Sequence, residues 1–103
     1  MVQPAQDESQ PSRPQWTIFS NHAHVLVCIV RNPEERVREI ARKVGITERA
    51  VQRIIGELEE AGVIARERFG RTNRYTLSLD KPLRHPLEAN TTIAEVIRVI
   101  ESE

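Results

Sequence analysis

The chain has 103 residues, with 15 basic and 15 acidic side chains that give a formal net charge of zero. This length is enough for one domain with a modest core, and because 39% of the residues are hydrophobic but only 4% aromatic, that core must be aliphatic. The sequence has neither a run of roughly 18 apolar residues nor a basic and then apolar N-terminus, so we expect no membrane span, no secretory signal and a cytoplasmic location.

The first fifteen residues differ in composition from the rest of the chain. They contain three prolines among glutamine, serine and acidic side chains, and such a segment cannot bury enough apolar area to offset the entropy of ordering. We therefore predict that residues 1–15 form a disordered tail. Residues 16–19 then supply a first apolar anchor, and Ser20 can cap a helix over about residues 21–31. Because this helix is apolar on most sides, it is either central to the core or covered by a partner.

Residues 37–61 have the pattern of a helix-turn-helix. A short helix is predicted by the apolar spacing of Val37, Ile40, Ala41 and Val44. Gly45 follows where this helix ends, so we predict a positive φ there. Thr47 is a good N-cap for a second helix, whose apolar face consists of Ala50, Val51, Ile54, Ile55, Leu58 and Ala61. This second helix, about residues 48–61, can enter a DNA major groove; a helical corner without DNA binding agrees less well with the spacing.

A β-hairpin is predicted directly after this motif. Residues 63–69 can form a strand, residues 70–73 a tight turn and residues 74–79 the returning strand, in which apolar and polar side chains alternate. Gly70 and Asn73 supply the residue types that a hairpin turn needs. A helix-turn-helix followed by a basic hairpin predicts an α+β, mainly α fold: a winged helix-turn-helix with a three-helix core and a β-hairpin wing.

The segment ARKVGITERAVQRIIGELEEAGVIARERFGRTNRYTL carries a family resemblance. Through it the chain resembles the prokaryotic winged helix-turn-helix transcriptional regulators of the MarR/ArsR-like type, over residues 16 to about 101. The resemblance implies a DNA-binding domain at residues 16–80 and a homodimer that binds a two-fold operator.

Residues 81–103 are predicted to form a proline-punctuated connector and an extra C-terminal helix from about Thr92 to Ser102. Thr92 and Glu95 have the spacing of a capping box. One small core can hardly cover both the apolar stripe of this helix and the whole first helix, so we predict that the two helices form a dimer interface. Its residues are Val25, Ile29, Ile93, Val96, Ile97 and Ile100. The competing interpretation is that the last helix folds back and completes the core of a monomer.

Basic side chains are concentrated where this fold would touch DNA. Ten basic and six acidic residues lie in the segment 36–74, which gives it a net charge of +4. On the second motif helix, Arg49, Gln52 and Arg53 lie opposite the apolar face. Arginine can bond guanine and glutamine can bond adenine in the major groove, so these are base-reading candidates, with phosphate contact an equal alternative for Arg49. Thr47, at the helix start, suits a phosphate as well as a cap.

The wing at residues 66–75 supplies the remaining DNA-binding candidates. We predict that Arg71 and Asn73 lie in the turn and reach a minor groove or the flanking phosphates. We predict that Arg66, Arg68 and Arg74 share the outward face of the strands and contact phosphates. The alternative role for these three arginines is protection of an edge strand by charge.

The sequence offers little for metal or catalytic chemistry. His22 and His24 are two residues apart on a predicted helix and so diverge by about 200°. Cys28 lies in an apolar run and suits a buried core thiol. The paired thiols of metal-sensing relatives, a nucleophile with its base, and a glycine-rich phosphate loop are all missing from the pattern. We expect no metal, no cofactor and no enzyme.

Three functions remain open at this point. The leading hypothesis is a sequence-specific transcriptional regulator that binds double-stranded DNA as a homodimer. The alternative is a winged-helix protein–protein interaction module without DNA binding, since this fold also serves that purpose. The third is a ligand- or redox-responsive switch, whose effector would have to bind at the dimer interface. The operator, the effector and the direction of regulation are not specified by the sequence.

Overall fold

The computed structural model describes residues 14–102, and within this range the chain forms four α-helices and one β-hairpin. The elements are α1 (Asn21–Arg31), α2 (Val37–Val44), α3 (Glu48–Glu60), β1 (Ile64–Phe69), β2 (Thr72–Leu77), one turn of 3-10 helix (Pro86–Glu88) and α4 (Ile93–Glu101). This arrangement confirms the winged helix-turn-helix with an extra C-terminal helix. Most of the predicted N-terminal tail lies outside the described residues. None of the helices between residues 14 and 102 is both long and apolar enough to cross a membrane.

Helix α1 is central to the core. Both α2 and α3 pack against it, and Val25 and Ile29 have no exposed surface in the chain. The other side chains with at most 1% exposure are Ile40, Val51, Ile54 and Ile55. The structure therefore corrects the prediction that Val25 and Ile29 contribute to a dimer interface. Their apolar surface is already used by α2 and α3, which approach α1 from two sides.

The turn between α2 and α3 has the predicted conformation. Gly45 lies in the left-handed region with φ +88°, and its N–H donates to the carbonyl oxygen of Ala41 at 2.8 Å. The hydroxyl of Thr47 accepts a hydrogen bond from the N–H of Ala50 at 3.0 Å, which satisfies one of the unpaired donors at the start of α3. These two local features fix where α2 ends and α3 begins.

The hairpin turn is shorter than the sequence predicted. Thr72 already pairs with Phe69, so only Gly70 and Arg71 connect the strands. Gly70 has φ +62°, while no residue other than glycine has a positive φ among those described. A positive φ at the first turn residue alone fits a type II′ turn. The prediction that Asn73 lies in the turn was therefore wrong: it lies in β2, opposite Arg68.

Helix α4 folds back on the domain but covers only part of its own apolar stripe. The predicted capping box is present, because Thr92 and Glu95 exchange hydrogen bonds of 2.8 and 3.2 Å. The N–H of Ala94 donates to the carbonyl of Leu79 at 2.8 Å, and Ile97 is buried with 5% exposure. Val99 remains 73% exposed. Ile93 and Ile100 are half-buried against the same core, so most of the stripe completes the core and Val99 is the large apolar side chain of α4 that stays exposed.

The left-handed turn at Gly45 gives a direct stability prediction. Gly45→Val should lower the free energy of unfolding by about 1–2 kcal/mol, because an L side chain is strained in this region of φ and ψ. Urea denaturation at an unchanged slope measures the loss. Gly45→Asn should lose less, since asparagine tolerates the left-handed conformation better. A valine variant as stable as the wild type would contradict this account of the turn.

Candidate nucleic-acid interface

Helix α3 presents one polar face to solvent. Its buried residues are Val51, Ile54, Ile55 and Leu58, and at 100° per residue the opposite side of the helix falls at Arg49, Gln52 and Arg53. All three side chains are exposed. The packing of α3 against α1 and α2 therefore brings the three predicted base-reading residues together on one surface.

Arg49 and Gln52 are unengaged on this face. Within residues 14–102, neither side chain has a hydrogen-bond or ion-pair partner. A guanidinium offers a rigid fork of donors, and a carboxamide offers one donor group beside one acceptor. The two side chains are one helical turn apart, so together they can bond two neighbouring groups on a partner surface.

Arg53, by contrast, is held by the chain itself. Its Nη1 atom lies 3.3 Å from Oε1 and 3.4 Å from Oε2 of Glu57, one turn further along α3. The same Oε1 atom lies 2.7 Å from Nε2 of His22 on α1. The hydrogen bond to His22, reinforced by the charge of Arg53, holds the pKa of Glu57 below its ordinary value. Arg53 therefore faces an ionised carboxylate that competes with any external anion.

Sequence reasoning missed Glu57 and His22 as neighbours of this face. The i, i+4 spacing of Arg53 and Glu57 is the usual signal of an ion pair on a helix, so Glu57 was within reach of the sequence. His22 lies 35 residues before Glu57, and only the packing of α1 against α3 brings the two side chains together.

The hairpin register corrects the predicted face of two wing arginines. Arg66 is directly opposite Tyr75, and Arg68 is directly opposite Asn73. Cross-strand partners share a face, so these two arginines are on the side of the buried Tyr75. Arg74 is opposite Glu67 and lies on the other side. Because an even number of residues connects the strands, cross-strand partners are one even-numbered and one odd-numbered residue, and Arg66 and Arg68 cannot share a face with Arg74.

Three wing arginines have partners in the chain. Arg66 forms a bidentate pair with Glu59 of α3, with N–O distances of 2.9 and 3.1 Å, and this pairing raises the pKa of Arg66. The Nε atom of Arg68 donates to the carbonyl of Gly70 at 3.1 Å. Arg74 pairs with an acid of the α1–α2 loop, with Nη2 2.7 Å from Oε2 of Glu34.

The pairs of Arg66 and Arg74 fix the wing against the helices. Arg74 also places its guanidinium carbon 4.4 Å above the ring centre of Phe69, in cation–π geometry. A backbone hydrogen bond of 3.0 Å from Tyr75 to the carbonyl of Pro33 adds a third attachment. Arg71, at the tip of the turn, has no partner among the residues that the structure describes. The wing thus presents one unengaged cation at its tip.

Asn73 and Thr47, which the sequence also predicted as DNA-binding residues, both form interactions inside the domain. The half-buried Asn73 side chain hydrogen-bonds the Tyr75 hydroxyl, which opposes the upward shift that burial gives to the pKa of Tyr75. Thr47 caps α3 and is exposed, so its hydroxyl proton stays available to an external acceptor.

The structure also locates the groups considered for metal or redox chemistry. No group of three or more histidine, cysteine, aspartate or glutamate side chains in residues 14–102 is placed to hold a metal ion. Cys28 is half-buried, and burial raises the pKa of its thiol. A protonated thiol is a poor nucleophile and a poor metal ligand.

Comparisons with known proteins agree with this geometry. A family model described as winged helix-turn-helix DNA-binding matches residues 21–65, from α1 to the start of β1. No curated protein sequence matches the chain.

Three solved structures share its fold. The PcaV transcriptional regulator from Streptomyces coelicolor, solved with its natural ligand, matches 80% of this chain at 20% identity and a TM-score of 0.51. The MarR-family transcription regulator SP03579 matches 82% of the chain at 19% identity and a TM-score of 0.52. AF1382 from Archaeoglobus fulgidus matches 84% at 24% identity and a TM-score of 0.51. The chain spans 60%, 52% and 94% of their respective lengths.

The open face of α3 gives a second stability prediction. Gly56 lies on this face, and a Cβ atom built there meets nothing within 4 Å. Gly56→Ala should raise the free energy of unfolding by about 0.5–1 kcal/mol, because glycine loses more backbone entropy in a helix than alanine. Thermal and urea unfolding measure the gain. A less stable variant would mean that the site is not open.

Proposed function

We propose that this chain, a winged helix-turn-helix protein, is a sequence-specific DNA-binding transcriptional regulator. The observation that carries the proposal is the outward face of α3, where Arg49 and Gln52 are unengaged donors on the second helix of the motif. The matched family, described as DNA-binding, covers this helix completely. An interaction module would be expected to present an apolar or acidic surface here instead.

In the proposed complex, α3 lies in the major groove. Arg49, Gln52 and Arg53 contact base edges there, with Arg forking to guanine and Gln to adenine. Thr47, at the start of α3, contacts a phosphate through its hydroxyl and the free N–H groups of the first turn. Arg53 forms an ion pair with Glu57, so it must break this pair before its guanidinium can bond a base.

The wing is proposed to follow the minor groove and the DNA backbone. Arg71, at the unengaged tip, enters the groove or meets its flanking phosphates. Arg68 and Arg74 contact phosphates, since a surface ion pair is worth only about 0–1 kcal/mol and can be exchanged for a phosphate pair. Arg66 and Asn73 act mainly indirectly, by holding the wing through Glu59 and Tyr75.

We also propose that the chain acts as a homodimer, with residues 81–103 as connector and dimerisation segment. The interface consists of the α4 strip, made of the half-buried Ile93, Val96 and Ile100 and the exposed Val99; the sequence also assigned Ile97 to this interface. Because Ile97 is buried in the chain's own core, it supports the strip from beneath. A two-fold axis beside α4 would place two α3 helices about 34 Å apart, one turn of DNA.

Selection of bound DNA from a random pool, followed by binding measurements on the selected site, tests the division of roles. Arg53→Ala should cost about 1–3 kcal/mol and relax preference at one base position, because a base contact is lost. Arg71→Ala should weaken all sequences more evenly and reduce the salt slope by about 1, because it contacts the backbone.

Arg98→Ala is the matched control for these variants. It removes one positive charge from the exposed side of α4, outside the proposed interface, and should leave base preference unchanged. Equal losses on all sequences from both Arg53→Ala and Arg71→Ala would contradict the division of roles. Failure to select any DNA would refute the proposed function and favour the interaction module.

Sedimentation at micromolar concentration tests the dimer. Wild type should sediment at twice the monomer mass of 11.8 kDa, and Val99→Asp should shift it to the monomer, because the charge would be buried without a partner. Phe69→Asp, which changes another exposed apolar side chain on the wing, should remain dimeric. A wild-type monomer would overturn the proposal, as would a Val99→Asp dimer.

A further inference from the structure

One carboxylate oxygen of Glu57 contacts two nitrogen donors, His22 on α1 and Arg53 on α3. Oε1 of Glu57 lies 2.7 Å from Nε2 of His22 and 3.3 Å from Nη1 of Arg53. The side chains of His22 and Glu57 are 44% and 46% exposed, so water and DNA can both reach the group. Arg53 is one of the proposed base-reading residues, whereas His22 lies on α1, which has no part in the proposed DNA contacts.

The two nitrogen donors share one carboxylate, since Nη1 of Arg53 also lies 3.4 Å from Oε2. While the imidazole is neutral, Arg53 supplies the positive charge nearest to Glu57. A protonated imidazole adds a second positive charge at 2.7 Å, which offsets the charge of the carboxylate and repels the guanidinium. Histidine is the side chain that changes charge between pH 5 and 8. Protonation of His22 therefore weakens the hold of Glu57 on Arg53.

We propose that Glu57 is a positioning residue that withholds Arg53 from DNA, and that protonation of His22 releases Arg53. This inference rests on the proposed function, and it adds regulation of the same DNA-binding face by pH. The direction follows from the contact. Lower pH favours the protonated imidazole and so frees Arg53, and affinity for DNA should rise between pH 8 and pH 6.

The charged side chains that surround His22 keep their charge between pH 6 and 8. An open groove of about 1050 Å³ beside it is lined by the charged residues Glu57, Glu60, Arg84 and Glu88. Carboxylates and guanidinium groups as classes do not change charge between pH 6 and 8. The neighbouring His24 on α1 is bonded to Asn21 at 3.1 Å, without a bond to Glu57, and so serves as an internal control.

Binding to the selected DNA site at pH 6, 7 and 8 and constant salt tests the proposal. The wild-type gain in affinity from pH 8 to pH 6 should exceed that of His22→Gln by about two- to fivefold, the size expected of a half-exposed ion pair. Glutamine keeps a donor for Glu57 but cannot titrate. His24→Gln removes the other histidine of α1 and should follow the wild-type profile.

Two further variants separate release of Arg53 from a general effect of charge. Glu57→Gln should bind more tightly than wild type at pH 8 and should show the flatter profile of His22→Gln. Glu48→Gln removes the same charge from the exposed surface of α3, at the opposite end of the helix from this contact, and should retain the wild-type pH profile. In an Arg53→Ala background, His22→Gln should have no further effect. Identical profiles for wild type and His22→Gln, or a difference that persists without Arg53, would overturn the proposal.

A measurement without DNA distinguishes this inference from the proposed function. The NMR signal of the Arg53 Nε–H group should move with pH in the wild type and should stay fixed in His22→Gln and Glu57→Gln. If the signal moves but no DNA is selected, the contact is pH-dependent and the proposed function is refuted, along with the regulation of DNA binding. If DNA is bound and the signal does not move, the release of Arg53 is refuted and DNA binding stands.

Discussion

The burial of α1 between α2 and α3 is the constraint on which the rest of the structure depends. Six aliphatic side chains at most 1% exposed come from these three helices, and an aliphatic core of this size is the main driving force that a chain with two phenylalanines, one tyrosine and one tryptophan can supply. Because α3 must turn Val51, Ile54 and Ile55 inward, its polar residues have to point outward. The polar face of α3, which is the proposed DNA-binding face, is thus a direct consequence of the core.

Acidic side chains determine how the basic residues are presented. Glu57 is paired with Arg53, Glu59 with Arg66 and Glu34 with Arg74, so the ten basic residues of the segment 36–74 overstate the number of cations that are available to a partner. Such surface pairs contribute little to stability. They do order long side chains before a partner arrives, and ordering a side chain beforehand lowers the entropic cost of binding. Arg66 and Arg74 therefore anchor the wing and are also among the residues proposed to serve DNA binding.

Helix α4 packs on the domain with one side and carries the proposed dimer interface on the other. Its buried Ile97 and the backbone hydrogen bonds to Leu79 and Lys81 make it part of the chain's own fold. Its outer side carries the half-buried Val96 and the exposed Val99, where polar side chains are typical of a helix that faces only water. Core completion and the proposed interface therefore involve different sides of the last helix.

The sequence by itself determined the elements, because their signals are local. Helical spacing located the apolar faces of α2, α3 and α4, Gly45 marked the left-handed turn, and Thr47 and Thr92 marked two helix starts. It also placed Arg49, Gln52 and Arg53 on one face of α3, because a helix of known inward side has a known outward side.

Only the tertiary structure decided what depends on contacts between elements. From the sequence, the apolar surface of α1 could pack either against a partner or within the chain's own core. In the structure α2 and α3 pack against α1, so Val25 and Ile29 lie in the core. The hairpin register placed Arg66 and Arg68 opposite the inward Tyr75 and Asn73, since cross-strand pairing decides which residues share a face. The contact between His22 and Glu57 spans 35 positions and has no periodicity, because packing of two helices, and not their spacing in the chain, brings those side chains together.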